Sequence, residues 1–429
     1  MAAKKLLLIQ VAALGHDFLQ NHLSGGTWQG LTFHPLEPIF PAVTCAAQAS
    51  FRTAAPPSKH GMVSNGVFLR DLRKAAFWEQ SAALVSGERI WESFRHSGKS
   101  VALLFWQQSL GEKVDYLVSP APIHKHHGGM IQDCYSRPAE LYARLRKTSG
   151  GKFKLQHYWG PFTSLKGTQW IALATRTLLE APDLAPDLCL TYLPHLDYSL
   201  QKYGPDHPRS KKALTELLAE LESLLTAAGN CGYQVLIFGD YAIGPVSQAA
   251  FPNKILREAG FLTVRTVGGH WYPDLYRSRA FAMVDHEMAH VYIPEPADLE
   301  PVREALKDQP GIGQVLNRSE QENFAVAHPR SGELLLIASP GCWLAYPWWD
   351  GKRQAPDYAR HVDIHQKPGY DPCELFFGWS GVSQDASRIR GSHGRPGPDR
   401  LSCWAATFDL DSQPGTLLEL SAAIRSHLL

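Results

Sequence analysis

Leu188-Cys-Leu-Thr-Tyr-Leu193, Pro194-His-Leu-Asp197, the series Leu214, Leu217, Leu218, Leu221, Leu224 and Leu225, and then Gln234-Val-Leu-Ile-Phe238-Gly-Asp240-Tyr241 decide the fold class. The first run is almost wholly apolar, which suits a strand buried on both faces. The leucines recur at i, i+3, i+4 and i+7, one face of a helix, and Gly229-Asn230 supplies its stop. A second buried strand follows over 234–238. Strand, helix and strand in that order predict a βαβ unit with parallel strands and a right-handed crossover. Ligands of such sheets gather beyond the carboxyl ends of the strands, where Asp197, in a polar loop, and Asp240 both fall.

Working outward, Leu6 to Val11 reads as a further strand of the same sheet. Lys4-Lys5 followed by the apolar run Leu6–Ala13 also fits a short secretory leader, but so short a run cannot span a bilayer. Seven cysteines without a CxxC pair sit poorly with secretion, so we read a first strand, a reducing compartment and a cytoplasmic protein. After Pro35, Pro38 and Pro41, the run Val43-Thr44-Cys-Ala-Ala-Gln-Ala-Ser50 starts like a helix with Thr44 at or near its N-cap. A hydroxyl there lies beside unpaired N–H groups and the positive helix end, which suits an anion, although a plain capping role is the simpler reading of this segment alone.

The stretch from about 100 to 165, rich in Trp, His, Pro and Gly, reads as an insertion covering the site. Ala289–Ile293, a helix over about 297–307 and a strand near Gly313–Val315 read as a small α+β subdomain within about 285–340. The whole is expected to be one α/β domain over 1–429. With 42 Lys+Arg against 41 Asp+Glu, the chain lacks the uniform basic field of a nucleic-acid polymer binder, and no segment reaches membrane-spanning length. The 19 histidines beside only 5 methionines raise the question of a metal or acid–base site.

Phe40-Pro-Ala-Val-Thr44-Cys-Ala-Ala-Gln-Ala-Ser50, Thr53, Pro57-Ser-Lys-His-Gly61 and Asn65-Gly66, with Asp197, Asp240 and the late Gly391-Ser-His393-Gly394, resemble the type I phosphodiesterase/nucleotide pyrophosphatase family of the alkaline phosphatase superfamily. The resemblance follows motif order over nearly the whole chain. It implies an alkaline phosphatase-like sandwich, a mostly parallel sheet with helices on both faces. It also implies Thr44 as nucleophile, Asn65 as the holder of a phosphate oxygen, and divalent metal held by Asp197, Asp240 and His393. Zinc stands first among the ions, with magnesium or manganese as alternatives, and one or two ions are implied. Three further metal positions of the family fall here on Ala12, Gln201 and Tyr241. Tyr241 and Gln201 become candidates for contacting substrate instead.

Other groups are candidates to rebuild the site. His195 would share a face with Asp197 if the chain there is extended. Asp363 and His365 have the same spacing, with Asp371 and Glu374 close behind. Asp285-His286 and His290 form another cluster, while His124, His126 and His127 read as a solvated or lid segment. The expected activity is metal-dependent hydrolysis of a small-molecule phosphodiester, pyrophosphate or related phosphorus ester through a Thr44 phosphoryl-enzyme. The alternatives are an altered or inactive relative that binds a phosphorylated ligand, and a phosphoryl transferase on the same scaffold.

Overall fold

Residues 5–361, 376–378, 381–383 and 385–429 are described by the computed structural model. In chain order, the elements that position the site are β1 (Lys5–Val11), β2 (His34–Leu36), α1 (Thr44–Thr53), β3 (Val101–Leu104), β4 (Tyr116–Pro120) and β5 (Cys134–Arg137). They continue with α2 (Leu165–Glu180), β6 (Leu188–Leu193), α3 (His195–Tyr203), α4 (Pro208–Asn230) and β7 (Tyr233–Gly239). β8 (Phe281–Asp285), β9 (Met288–Tyr292), α5 (Leu299–Leu306), β10 (Ile312–Leu316), β11 (Leu334–Ala338) and β12 (Ser402–Ala406) complete the set.

The central sheet runs β5-β4-β3-β6-β1-β7-β12-β2. Its five middle strands, β4 to β7 in that order, are parallel, and antiparallel pairings close both edges. The predicted βαβ unit is therefore present as β6, α4 and β7, with β1 seated between its two strands. Pro208 opens α4 at a position where a missing N–H costs nothing, and the His207 side chain accepts from the Arg209 N–H. Leu214, Leu217, Leu221 and Leu224 are its buried stripe, laid against α2 and β7. Truncating one such leucine to alanine costs about 2–5 kcal/mol.

Register decides where the site sits. Val11 pairs with both Leu193 and Gly239, so the chain leaves β1, β6 and β7 at one level. Ala12, the start of α3 and Asp240 thus emerge side by side. The expected polar loop 194–197 is instead the entry to α3, which starts at His195 directly after β6.

A second, antiparallel sheet, β8-β9-β11-β10, has its own apolar core, built from Phe281, Val291, Leu334, Leu336 and the buried Trp348. β8 and β9 are joined by a two-residue turn, His286-Glu287, closed by the Asp285–Met288 pair. His286 adopts φ 60°, the left-handed region that glycine usually fills at such a turn. The turn is tied to the late motif segment, because the Glu287 N–H donates to the His393 carbonyl at 3.0 Å. The Glu287 carboxylate also takes a 2.7 Å bond from Arg400, with both side chains buried.

The stretch 100–165 is divided in role. Its strands β3, β4 and β5 belong to the central sheet, while residues near 120–132 and 155–163 stand over the strand ends. Six of the seven cysteines lie among the described residues, and they form no disulfide with one another. No helix among those residues is long and apolar enough to cross a membrane.

Candidate functional site

A cavity of about 370 Å³ opens above the carboxyl ends of the central strands. Thr44, Asn65, Tyr192, Asp197, Gln201, Tyr241, His286 and His393 line its floor. Thr44 is the first residue of α1; Val43 stands at the N-cap, and no side chain caps the helix. The simple capping role is therefore not what Thr44 does. Its Oγ1 lies 3.4 Å from the Tyr192 hydroxyl, and the Tyr241 hydroxyl, which donates to Asp197, is close enough to feel it. The first-turn amides of α1, which no carbonyl of the same helix can take, lie beside it.

Asn65 is fixed next to this helix end. Its Oδ1 accepts from the Cys45 N–H at 2.9 Å, and its own N–H and Nδ2 donate to Asp285 at 2.7 and 3.1 Å. Asp285 further accepts from the Ser64 hydroxyl at 2.9 Å and from His286 Nδ1 at 2.7 Å. Burial would raise its pKa, but the His286 bond and charge and the Asn65 and Ser64 donors outweigh that and hold it below the usual carboxylate value.

The two strand-end aspartates differ. Asp240 is fully buried; its Oδ1 accepts from the Ala13 and Tyr241 N–H groups at 3.1 and 3.0 Å, while Oδ2 has no partner among the described residues. Burial drives its pKa well above the carboxylate range, and the charge of Asp197 adds to the rise. Asp197, on α3, receives the Tyr241 hydroxyl at 3.1 Å and the Gln201 amide at 3.4 Å, both on Oδ1. Burial pushes its pKa up to about 6 against the pull of His286, Tyr241 and Gln201.

His393 donates from Nδ1 to the Ala42 carbonyl at 2.7 Å, and its ring lies flat on Tyr241, 3.6 Å between centroids. Burial, with the charge of His286 second, takes its pKa well below the ordinary histidine value.

His195 is a correction. Because α3 begins there, residues two apart point to different faces, and its Nε2 meets Glu216 on α4 at 2.9 Å, outside the cavity lining. His290 links the Val63 carbonyl and the Gly332 N–H inside the second sheet. His124, His126 and His127 do not line the cavity. Asp363, His365, Asp371 and Glu374 lie outside the described residues.

The fold places two cavity residues beside Thr44 and Asp197 that the motif reading did not assign, Tyr192 and His286. The Asp285-His286 pair in the sequence was the available signal for the second; Tyr192 sits in an ordinary buried strand and gives none.

The family pattern of type I phosphodiesterase/nucleotide pyrophosphatase matches residues 17–371. The chain belongs to that family. Its members are hydrolases acting on phosphoesters. Among solved structures, murine ectonucleotide pyrophosphatase/phosphodiesterase 5, in an inactive form in complex with AMP, aligns with TM-score 0.62 at 13% identity, over 99% of this chain and 95% of that one. Phosphonoacetate hydrolase from Sinorhizobium meliloti 1021, in complex with phosphonoacetate, aligns with TM-score 0.64 at 15% identity, over 100% and 96%. At these identities the likeness is one of fold, and it bears out the alkaline phosphatase-like architecture. No curated protein matches the chain in sequence.

Among the described residues, those present do not fit the two-ion centre that the family implies. A methyl group (Ala12), an amide (Gln201) and a phenol (Tyr241) stand at three of its positions. Among the described residues no three His, Cys, Asp or Glu side chains come together to hold an ion. Asp240 Oδ2 is one buried oxygen available to a cation, but the described residues do not gather around it the set that hard or borderline divalent ions take.

The walls say more about the ligand. Trp78, Pro122, Met130, Leu155, Trp159 and Phe162 give an apolar, aromatic surface, with Gln80, Gln107, Gln132 and Gln156 as neutral polar points. No lysine or arginine is among the described lining residues.

Proposed function

We propose that this protein hydrolyses a small-molecule phosphoester of an uncharged, apolar or aromatic alcohol, with Thr44 as the nucleophile. The observation that carries this reading is the Thr44 hydroxyl at the open end of α1, facing an aromatic cavity with no lysine or arginine among its described lining residues. A polyphosphate would enter that cavity with its charge unpaired, which a low-dielectric wall penalises severely. One phosphoryl group can be served by the α1 first-turn amides, the Tyr192 and Tyr241 hydroxyls and the second amide proton of Asn65.

The reaction proceeds in two displacements. The Thr44 Oγ–P bond forms as the ester O–P bond breaks, and the alcohol leaves with a proton. Water then attacks phosphorus, the Thr44 Oγ–P bond breaks, and Thr44 regains its proton. Burial disfavours the charge of Asp240, and Asp197 is close to half-protonated near pH 6, which keeps negative charge low next to an incoming anion.

Bis-nitrophenyl phosphate, aryl phosphoesters and nucleotide esters, offered to purified enzyme with and without added zinc, magnesium or manganese, test the reading. Aryl esters are expected to turn over and to leave phosphorylated Thr44 detectable by mass spectrometry. The reading fails if T44A hydrolyses the same panel as fast as the wild type.

A further inference from the structure

We propose that the mouth of the cavity is a docking surface for an anionic lipid bilayer, so that the protein rests with this opening against a membrane it does not cross. The inference goes beyond the hydrolase reading and does not rest on it.

Three short pieces of chain frame the opening and carry the surface. Residues 121–132 hold a two-stranded hairpin that pairs Ile123 with Ile131 and His124 with Met130. Side chains along such a ribbon alternate between its two faces. Pro122, Met130 and Gln132 line the cavity, so Ile123 and Ile131 occupy the opposite, outward face, where they are 57% and 46% exposed. The second piece, residues 155–163, brings Phe162, and the third, residues 376–378, brings Phe377. These rings are 58% and 42% exposed and meet edge to face, 4.7 Å between centroids. Phe162 also lines the cavity, as does Phe376. The apolar wall therefore runs out through the opening and onto the surface. Four of the ten exposed large hydrophobic side chains among the described residues fall on these three pieces, a concentration that scattered surface residues do not explain.

Charge decides the partner. Over the whole chain 42 basic residues balance 41 acidic ones. Residues 121–132 and 151–166, by contrast, carry Lys125, Lys152, Lys154 and Lys166, all exposed, and no Asp or Glu. Lys125 stands in the turn of the hairpin, where its N–H donates to the Gly129 carbonyl at 2.9 Å and the left-handed Gly128 and Gly129 close the loop. The first acid beyond it, Asp133, lies where the hairpin returns to β5. Outward-pointing apolar side chains set among cations match an anionic bilayer: the isoleucines and rings enter the headgroup region while each ammonium gains from the negative surface potential. The same lack of acids argues against a second copy as the occupant, because a two-fold contact would set lysine against lysine. Contact with the bilayer also covers the open end of an apolar cavity that otherwise meets water.

The test is co-sedimentation of the full-length protein with vesicles of phosphatidylcholine alone and of phosphatidylcholine containing about one third phosphatidylserine. Partition onto the anionic vesicles is expected to be at least about tenfold stronger and to fall as salt rises from about 0.1 M to about 0.5 M. At about fivefold per lysine, K152Q/K154Q is expected to weaken it about 25-fold. I123S/I131S is expected to weaken it about tenfold or more. None of these four side chains lines the cavity, and all are exposed, so both variants are expected to unfold at the wild-type Tm.

Absence of binding to anionic vesicles, equal binding to both kinds of vesicle, or binding unchanged in either variant overturns the proposal. So does a wild-type dimer that I123S/I131S turns into a monomer by light scattering, which would give the patch to a second copy. The readout is binding, so it stands apart from whether Thr44 turns over any ester.

Discussion

Asp197→Asn is expected to stabilise the protein, and to do so only where Asp197 would be charged. Folding raises the Asp197 pKa from 3.8 to about 6, chiefly by burial. The folded state thus binds the proton more tightly than the unfolded one, and the stability cost of the charge is absent in acid, grows as pH rises from about 4 to 6, and is complete above that. A shift of about two units at about 1.4 kcal/mol each gives a cost near 3 kcal/mol at pH 8 and about 1 kcal/mol at pH 4.5. Asparagine removes the charge but keeps an Oδ1 for the Tyr241 and Gln201 donors, both of which use that oxygen. At about 2.1 cal/mol/K per residue, a chain of 429 residues has an unfolding entropy of about 0.9 kcal/mol/K. The expected gain in Tm is therefore about 3 °C at pH 8 and about 1 °C at pH 4.5. Thermal and urea unfolding of both proteins in the presence of a chelator is the assay. A D197N protein less stable than the wild type at pH 8 refutes the reasoning, since it would mean that the Asp197 charge is paired in the folded state.

Other outcomes follow from the same geometry. Introducing A12D, Q201H and Y241H together is expected to confer bound zinc, counted by elemental analysis, above the wild-type level; no gain would show that more than these three positions separates the site from the family's two-ion centre. E287Q, which leaves the buried Arg400 guanidinium without its counter-charge, is expected to cost about 3–5 kcal/mol in urea unfolding. G244A is expected to destabilise comparably, because its Cβ would fall 1.1 Å from Arg400 Nη1 and evict that side chain; a Tm equal to wild type would contradict the packing. W159A, removing part of the aromatic wall, is expected to raise KM for aryl esters by about tenfold while leaving kcat near wild type, an effect of about 1.4 kcal/mol on binding.

What the sequence disclosed depended on how local the cause was. β6, α4 and β7 were readable because each carries its own period, and the strand-end aspartates followed from the parallel register. Thr44 was placed at the right helix end, but its partners, Tyr192 and Tyr241, come from two other strand ends and leave no mark near residue 44. His195 was misplaced because an extended chain was assumed where the helix starts at once after β6. The Asp285-His286 cluster is legible in the sequence as a candidate, but its place at the cavity is not, because its turn lacks the usual glycine and depends on the Glu287–His393 and Glu287–Arg400 links, which join segments more than a hundred residues apart.

The β8–β9 turn has a mechanical consequence. Thr44 rides on the core of the parallel sheet, and His286 rides on the core of the antiparallel one. The spacing between Thr44 and the His286 imidazole is therefore a property of the seam between two hydrophobic cores, and substitutions buried along that seam, far from any ligand, can reshape the cavity floor without altering a single group that lines it.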